Sequence, residues 1–257
     1  MSSLEYIVGL QAVLERIKST QAINIRQAGS LVADALSAGG IIHTFGTGHS
    51  HLIADEAFFR AGGIAAVNPI LHERFIFLKG ALESTRSEQE SGFAHELLVE
   101  QNVRAVDVGI VISNSGRNAA PVEMAEEMKS LGLKVIAITN LEQSRNSTPR
   151  NSTGKRLYEV ADLAIDNCVP PGDALLKLDG LQSNIGPSST VAGAAIINGI
   201  VIEAVSELLR RGEPVPVLPS ANTEGVSEEA LTDLLRTHAA RIKYLDIDRP
   251  ATAKGKG

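Results

Sequence analysis

The sequence predicts an α/β fold in which a parallel sheet is covered by helices on both faces. Two observations carry that prediction, and a third gives it a functional edge. Short apolar runs such as "GIIHTFG", "VGIVIS" and "KVIAIT" alternate with longer stretches of helical periodicity. Runs of that length joined by helices have the crossover form that parallel strands require. Three of them also end in hydroxyl-rich turns: 46–50 ("GTGHS"), 113–118 ("SNSGRN") and 139–144 ("TNLEQS"). In a parallel sheet those turns share one edge, the carboxyl ends of the strands, where open α/β folds bind ligands.

The elements follow in order. Residues 4–37 place Leu10, Val13, Leu14 and Ile17, then Ala22, Ile25, Ala28 and Leu31, at helical spacing. That pattern predicts one long helix, or two, stopped by Gly39 and Gly40. A first strand reaches "HTFG", and a helix is expected from His49 through "HLIADEAFFRAG". "AAVNPIL" is a second strand, residues 91–105 a helix, and "DVGIVISNSG" a third strand with its turn. "AAPVEMAEEMKSLG" is a helix leading to "KVIAITN", and another strand lies within 156–173. "SSTVAGAAIINGIVIEAVSELLRRG" is a long buried helix stopped by Gly212, and a short helix follows a Pro-rich passage. Residues 1–245 read as one domain, and 246–257 ("DIDRPATAKGKG") as a disordered tail.

Composition narrows the function. Hydrophobic residues make up 44% of the 257 and charged residues 21%, enough to fill a core. A net charge of −6 gives no broad positive footprint, so neither nucleic acid nor an anionic membrane is an expected partner. The single cysteine, Cys168, excludes an internal disulfide framework and a Cys-rich zinc site, and it is expected buried at a strand end. The N-terminus lacks a signal-peptide pattern. The most apolar stretch, "VAGAAIINGIVIEAV", is interrupted by Asn198 and Glu203 and reads as too short and polar to span a bilayer. A cytoplasmic protein is the expectation.

The middle turn says most. Ser113, Asn114, Ser115 and the Gly116 amide stand at the mouth of a helix, where exposed N–H groups attract an anion. Such groups can envelop a phosphate without lysine. The bland alternative is ordinary helix capping by Ser and Asn, which a second hydroxyl-bearing turn on the same edge makes less sufficient. Gly46-x-Gly48 opens like a dinucleotide fingerprint, but His51 stands where the third glycine belongs. Neither turn carries a Walker lysine.

At these residues the chain resembles a known family. Strand–"GTGHS"–helix followed by strand–"ISNSGRN"–helix is similar to the sugar isomerase (SIS) domain, and the likeness extends over residues 4–240 with an uncharacterised bacterial branch. The resemblance implies a three-layer α-β-α sandwich around a five-stranded parallel flavodoxin-like sheet. It also implies a sugar phosphate ligand and a homodimer or homotetramer. In that family serines of the two turns hold the phosphate, which transfers here to Ser50, Ser113 and Ser115. A threonine common two residues past the glycine of the second turn is Asn118 here, whose amide can still donate. The remaining first-turn residues, Gly46, Thr47, Gly48 and His49, are taken as substrate-binding with them. The family holds isomerases, deaminating synthases, an ether-cleaving enzyme and ligand sensors, so fold alone does not choose among them.

An aldose–ketose isomerase, acting on an ordinary, amino or N-acetyl sugar phosphate, is the leading expectation. A non-catalytic sensor or a lyase is the alternative. Isomerisation needs a base at carbon and an acid at oxygen. If the chain is helical from residue 49, His49, Ile53, Glu56 and Arg60 share a stripe, and His51 pairs with Asp55. Glu56 and His51 are thus catalytic candidates, although a plain Glu56–Arg60 ion pair competes. His72 and Glu73 in "LHERF" are the next candidates, at the end of the second strand, against a bland surface turn. A His-x-His pair suits zinc, but side chains two apart on a helix diverge, so no metal or other cofactor is expected. The heptose isomerase branch has a histidine on its last long helix. Here that helix has none, and its mouth offers Ser188 and Ser189, which can touch sugar hydroxyls or cap the helix.

Overall fold

The computed structural model describes residues 2–220, 227–245 and 247. Apart from Ile247, the expected disordered tail lies outside them, as does most of "PSANTEG". A single helix, α1 (Ser2–Ser37), opens the chain. Then come β1 (Ile42–Gly46), α2 (His51–Glu56), β2 (Val67–Ile70), α3 (Ala81–Ser87) and α4 (Phe93–Val99). β3 (Val108–Ile112), α5 (Ala119–Ser130), β4 (Lys134–Thr139), α6 (Leu141–Arg145), α7 (Leu157–Val160) and β5 (Leu163–Asp166) follow. A hairpin, β6 (Ala174–Leu176) and β7 (Ile185–Pro187), precedes α8 (Ser189–Arg211) and α9 (Glu228–Ala239).

The main sheet has five strands in the order β2-β1-β3-β4-β5, every neighbouring pair parallel. Alternate strand residues feed two cores, as a pleat requires. Ile42, Ile110, Ile112, Ile136 and Ile138 pack with α1, α2 and α8 through Val32, Ile53, Ile196 and Ile200. Phe45, Val111, Val135 and Ala137 pack with α4, α5 and α7 through Leu97, Met124, Met128 and Leu157. The chain is therefore a three-layer sandwich. Because the order reverses direction after β1, the crevice between the carboxyl ends of β1 and β3 is the switch point where such sheets bind ligands.

Some elements differ from the sequence expectation. The helix after the first turn stops at Glu56, and Phe59 follows it with φ +42°, a left-handed backbone no regular helix contains. The helix expected over 91–105 is confined to α4, ending before Asn102 at φ +49°. α3 and the β6–β7 hairpin had no clear sequence signal. The segment judged too short to span a membrane lies in the 23-residue α8, long and apolar enough by length and composition. Its buried residues, among them Ile196, Ile197, Ile200 and Ala204, pack against α1 and the sheet.

Residues 241–245 run beside the edge strand β2. The Lys243 N–H donates to Asn68 Oδ1 (3.3 Å), and Tyr244 Oη to the Leu71 carbonyl (3.1 Å). Arg241 is anchored on Asp107 at 2.6 Å. Asp107 also faces His43 Nε2 at 3.1 Å and accepts from the N–H groups of Ile41 and Arg104. Burial pushes the Asp107 carboxyl up, but the bonds from His43, Arg241 and the two amides outweigh it and hold the pKa at about 2.

Candidate functional site

The first turn leaves β1 at Gly46, where a methyl group would stand 2.5 Å from the Ser50 carbonyl oxygen. Only glycine lets the chain fold back so closely. A short 3-10 turn, Gly48–Ser50, then runs into α2. His51 Nδ1 contacts the Gly48 carbonyl. A carbonyl only accepts, so Nδ1 carries the proton and the Nε2 lone pair is left to act. The rings of His49 and His51 pack on Phe77 with centroids 4.8 and 5.8 Å away. Burial raises the Asp55 carboxyl above its ordinary value, and the neighbouring His51 opposes that rise only in part.

The second turn leaves β3 at Ser113. The Gly116 N–H donates to Ser113 Oγ (3.2 Å), which leaves that hydroxyl's own hydrogen to donate elsewhere. Gly116 has φ +59°, and a methyl there would come within 2.7 and 2.8 Å of the Thr139 and Ser144 hydroxyl oxygens. Asn114 ties this turn to its neighbours: its carbonyl accepts from the Asn140 N–H and its Oδ1 from Asn167 Nδ2. Ser115 is half-buried, and Asn118 is the N-cap residue of α5 without a side-chain cap bond.

One carboxylate joins the two turns. Glu88, just past α3, accepts from Thr47 Oγ1 at 2.9 Å and from Asn118 Nδ2 at 2.7 Å. Its carbonyl accepts from the Ala120 N–H inside the first turn of α5. Burial raises the Glu88 carboxyl above its ordinary value. The bonds from Thr47 and Asn118 and the charge of Arg150 oppose that rise only in part. A hydroxyl-rich helix mouth and a half-buried carboxyl are thus tied together at the sheet edge, and the His51 imidazole follows directly on the first of the two turns. That set can hold an anion and move protons beside it.

The matches to known proteins agree with this geometry. The family model for the SIS domain matches residues 5–140, α1 through β4 and the residue after it, including both turns. The chain belongs to the SIS domain family. A UPF0309 protein of Thermoanaerobacter pseudethanolicus is 41% identical over 246 residues, covering 94% of this chain and 99% of that one. A UPF0309 protein of Listeria innocua is 40% identical over 223 residues, 86% of this chain and 90% of its own. Among solved structures, a phosphoheptose isomerase from Neisseria gonorrhoeae shares the fold with TM-score 0.50 and 16% identity, over 79% of this chain and 97% of that one.

The SIS domain fold brings the 46–50 and 113–118 residues to one crevice, with His51 beside them. Other candidates are otherwise engaged. Glu56, at the far end of α2, pairs with Arg60 and accepts from Asn198 Nδ2 of α8 (3.0 Å). Glu73 is exposed and pairs with Lys79, whose hydrogen bond lowers its carboxyl. His72 lies on the 71–75 loop, which reaches the first turn through a bond from the Gly48 N–H to the Phe75 carbonyl. Its Nδ1 accepts from the Arg74 N–H (3.3 Å). Ser188 and Ser189 give both amides to Asp173 Oδ1, at 2.9 and 2.6 Å, and the Ser189 hydroxyl bonds Oδ2. Asp173 therefore caps α8 from outside it. Sequence reasoning missed Glu88 and Arg150. Each sits in a polar stretch whose position beside the turns is set by the fold alone.

Proposed function

We propose that this SIS domain is a phosphosugar isomerase. It holds the phosphate of its substrate in the 113–118 turn and moves a proton between adjacent carbons of the open-chain sugar. The observation that carries the reading is the crevice itself: two hydroxyl-bearing turns at the sheet's switch point, with an acid and an imidazole between and beside them. Ser113, Ser115 and the amides at the mouth of α5 bind the phosphate, since a helix N-terminus favours negative charge. His51 Nε2 is the base or acid nearest the first turn, and Glu88 is the carboxyl whose raised pKa suits proton donation. Glu56, held by Arg60 and Asn198, is assigned the support of α2 against α8.

The protein acts as a homodimer or homotetramer. α1 exposes Leu4, Ile7, Val8 and Ile23, and α8 exposes Ile202 and Leu209, an apolar extent rarely left wet.

The test is solvent exchange. Aldose and ketose phosphates, including amino and N-acetyl sugars, are incubated with the protein in deuterium oxide and followed by NMR. An isomerase substrate gains deuterium at carbon. His51→Asn should slow that gain by about two to four orders of magnitude, and Glu56→Gln by less than about tenfold if it only supports α2. A reversed ranking of the two variants returns the base to Glu56. Saturable binding without exchange for any sugar refutes the isomerase and leaves a sensor. Loss of an ether substituent makes the protein a lyase.

A further inference from the structure

Asn118 is held in an arrangement that does not suit an anion site. It is the N-cap residue of α5, 7% exposed, and its Oδ1 is buried without a partner. The cause is local. An N-cap oxygen ordinarily accepts from the N–H of the second or third helical residue. The second here, Ala120, gives its N–H to the Glu88 carbonyl, and the third is Pro121, which has none. Meanwhile Asn118 Nδ2 donates to Glu88 Oε1 at 2.7 Å. Behind the helix mouth therefore lie a buried acceptor without a donor and, bonded to the same side chain, a carboxylate, both unfavourable to a phosphate.

One rearrangement removes both obstacles. Turning the Asn118 amide over exchanges Oδ1 and Nδ2, so that a donor takes the orphaned position. Oδ1 then faces Glu88 across the same short separation, a contact two acceptors tolerate only if the carboxyl carries a proton. We propose that anion binding in this site is coupled to uptake of one proton by Glu88, with the Asn118 amide turning over as it binds. The inference rests on the phosphosugar reading above. The proton comes from solvent, no covalent bond to carbon is made or broken, and the bound site then holds Glu88 as a neutral acid whose O–H donates to Asn118 Oδ1. Burial already inclines the Glu88 carboxyl toward protonation. The charge facing it from the loop after α6 is Arg150, and across the first turn stand His49 and His51 on Phe77.

The experiment uses anions that do not titrate in the working range, inorganic sulfate and glucose 6-sulfate. Isothermal titration in buffers of different ionisation enthalpy counts the protons taken up. The native protein should take up about one, and its affinity should fall about tenfold per pH unit above the free Glu88 pKa, the slope of a one-proton linkage. Glu88→Gln keeps the shape and can donate to the turned amide. Its affinity should be flat over that range and exceed the native value at weakly alkaline pH. Proton uptake should fall to near zero in this variant. Isotope-edited infrared spectra of the native protein give an independent readout, a protonated carboxyl band that appears on adding sulfate. Binding without uptake, equal uptake in Glu88→Gln, or no such band overturns the coupling and leaves the anion site standing. Failure of the native protein to bind either probe or any sugar phosphate overturns the site, and the coupling with it.

Discussion

Replacing Asp107 with asparagine tests a buried electrostatic contribution that the fold makes away from the crevice. The change keeps the shape and removes the charge that faces His43 and Arg241. Both Asp107 and His43 are fully buried, and the Arg241 side chain is 9% exposed. A neutral amide in place of the carboxylate would leave a buried guanidinium without its counter-charge, the costly half of breaking such a pair. Linkage gives the size. A carboxyl moved from 3.8 to about 2 is worth about 2.5 kcal/mol, at 1.36 kcal/mol per pH unit. The sign follows from the depressed value. The contribution is fully present above pH 3.8 and is lost as pH falls through about 2. Urea unfolding at neutral pH should therefore show Asp107→Asn less stable by about 2 to 3 kcal/mol. The gap between variant and native protein should close as the pH approaches 2, where the native carboxyl is itself protonated. A neutral-pH difference below about 1 kcal/mol, or one that persists undiminished in acid, would refute this account of the cluster.

Two further predictions concern the crevice and the outer helices. Ser113→Ala combined with Ser115→Ala should weaken sugar phosphate binding at least about a hundredfold, because bonds to a charged group are worth about 1.5–3 kcal/mol each; calorimetric affinity within about threefold of native would sink the phosphate assignment. The native protein should sediment as a dimer or larger species at micromolar concentration, and Val8→Glu with Ile23→Glu should shift it toward monomer, since both residues are exposed on α1. A native monomer would remove the argument from apolar exposure.

The legible parts of this chain are those whose cause is local. β1, β3 and β4 are short apolar runs because each is buried on both faces, and their shortness and flanking turns set them apart from buried helix. The turns could be read because their glycines are forced: Gly46 by the Ser50 carbonyl, Gly116 by a left-handed backbone and two hydroxyls. Where the cause is distant, the sequence was silent. α3 is seven residues of mostly polar composition, "ALESTRS", and nothing in it announces that Glu88 behind it will join two strand ends. The end of α2 was misjudged because the helical pattern continues through Phe58 and Phe59 while the backbone does not. Ser188 and Ser189 have the composition of a binding site, and Asp173, 15 and 16 residues earlier, uses them to cap a helix.

The two polar clusters built on β1 and the segments flanking β3 differ in how fully they are satisfied, and that difference separates their roles. Around Asp107 the carboxylate receives His43, Arg241 and two backbone amides, and His43 Nδ1 faces Asn68 Nδ2 at 3.1 Å. The Asp107 carboxylate is fully bonded, and the one unpartnered buried atom of this cluster among the described residues is Arg241 Nε; bonding of that extent favours a single arrangement. At the opposite, carboxyl edge the bonding is incomplete. Of the five buried side-chain atoms without a partner among the described residues, Ser87 Oγ, Asn118 Oδ1 and Ser144 Oγ belong to the segments that converge on the second turn. A folded chain gains nothing by leaving three such groups bare within one region, since each loses a bond it had in water. The deficit is intelligible if the missing partner is a ligand rich in acceptors and hydroxyl donors. A sugar phosphate, the ligand proposed above, offers acceptors to the two serine hydroxyls, whereas Asn118 meets it only once its amide has turned over.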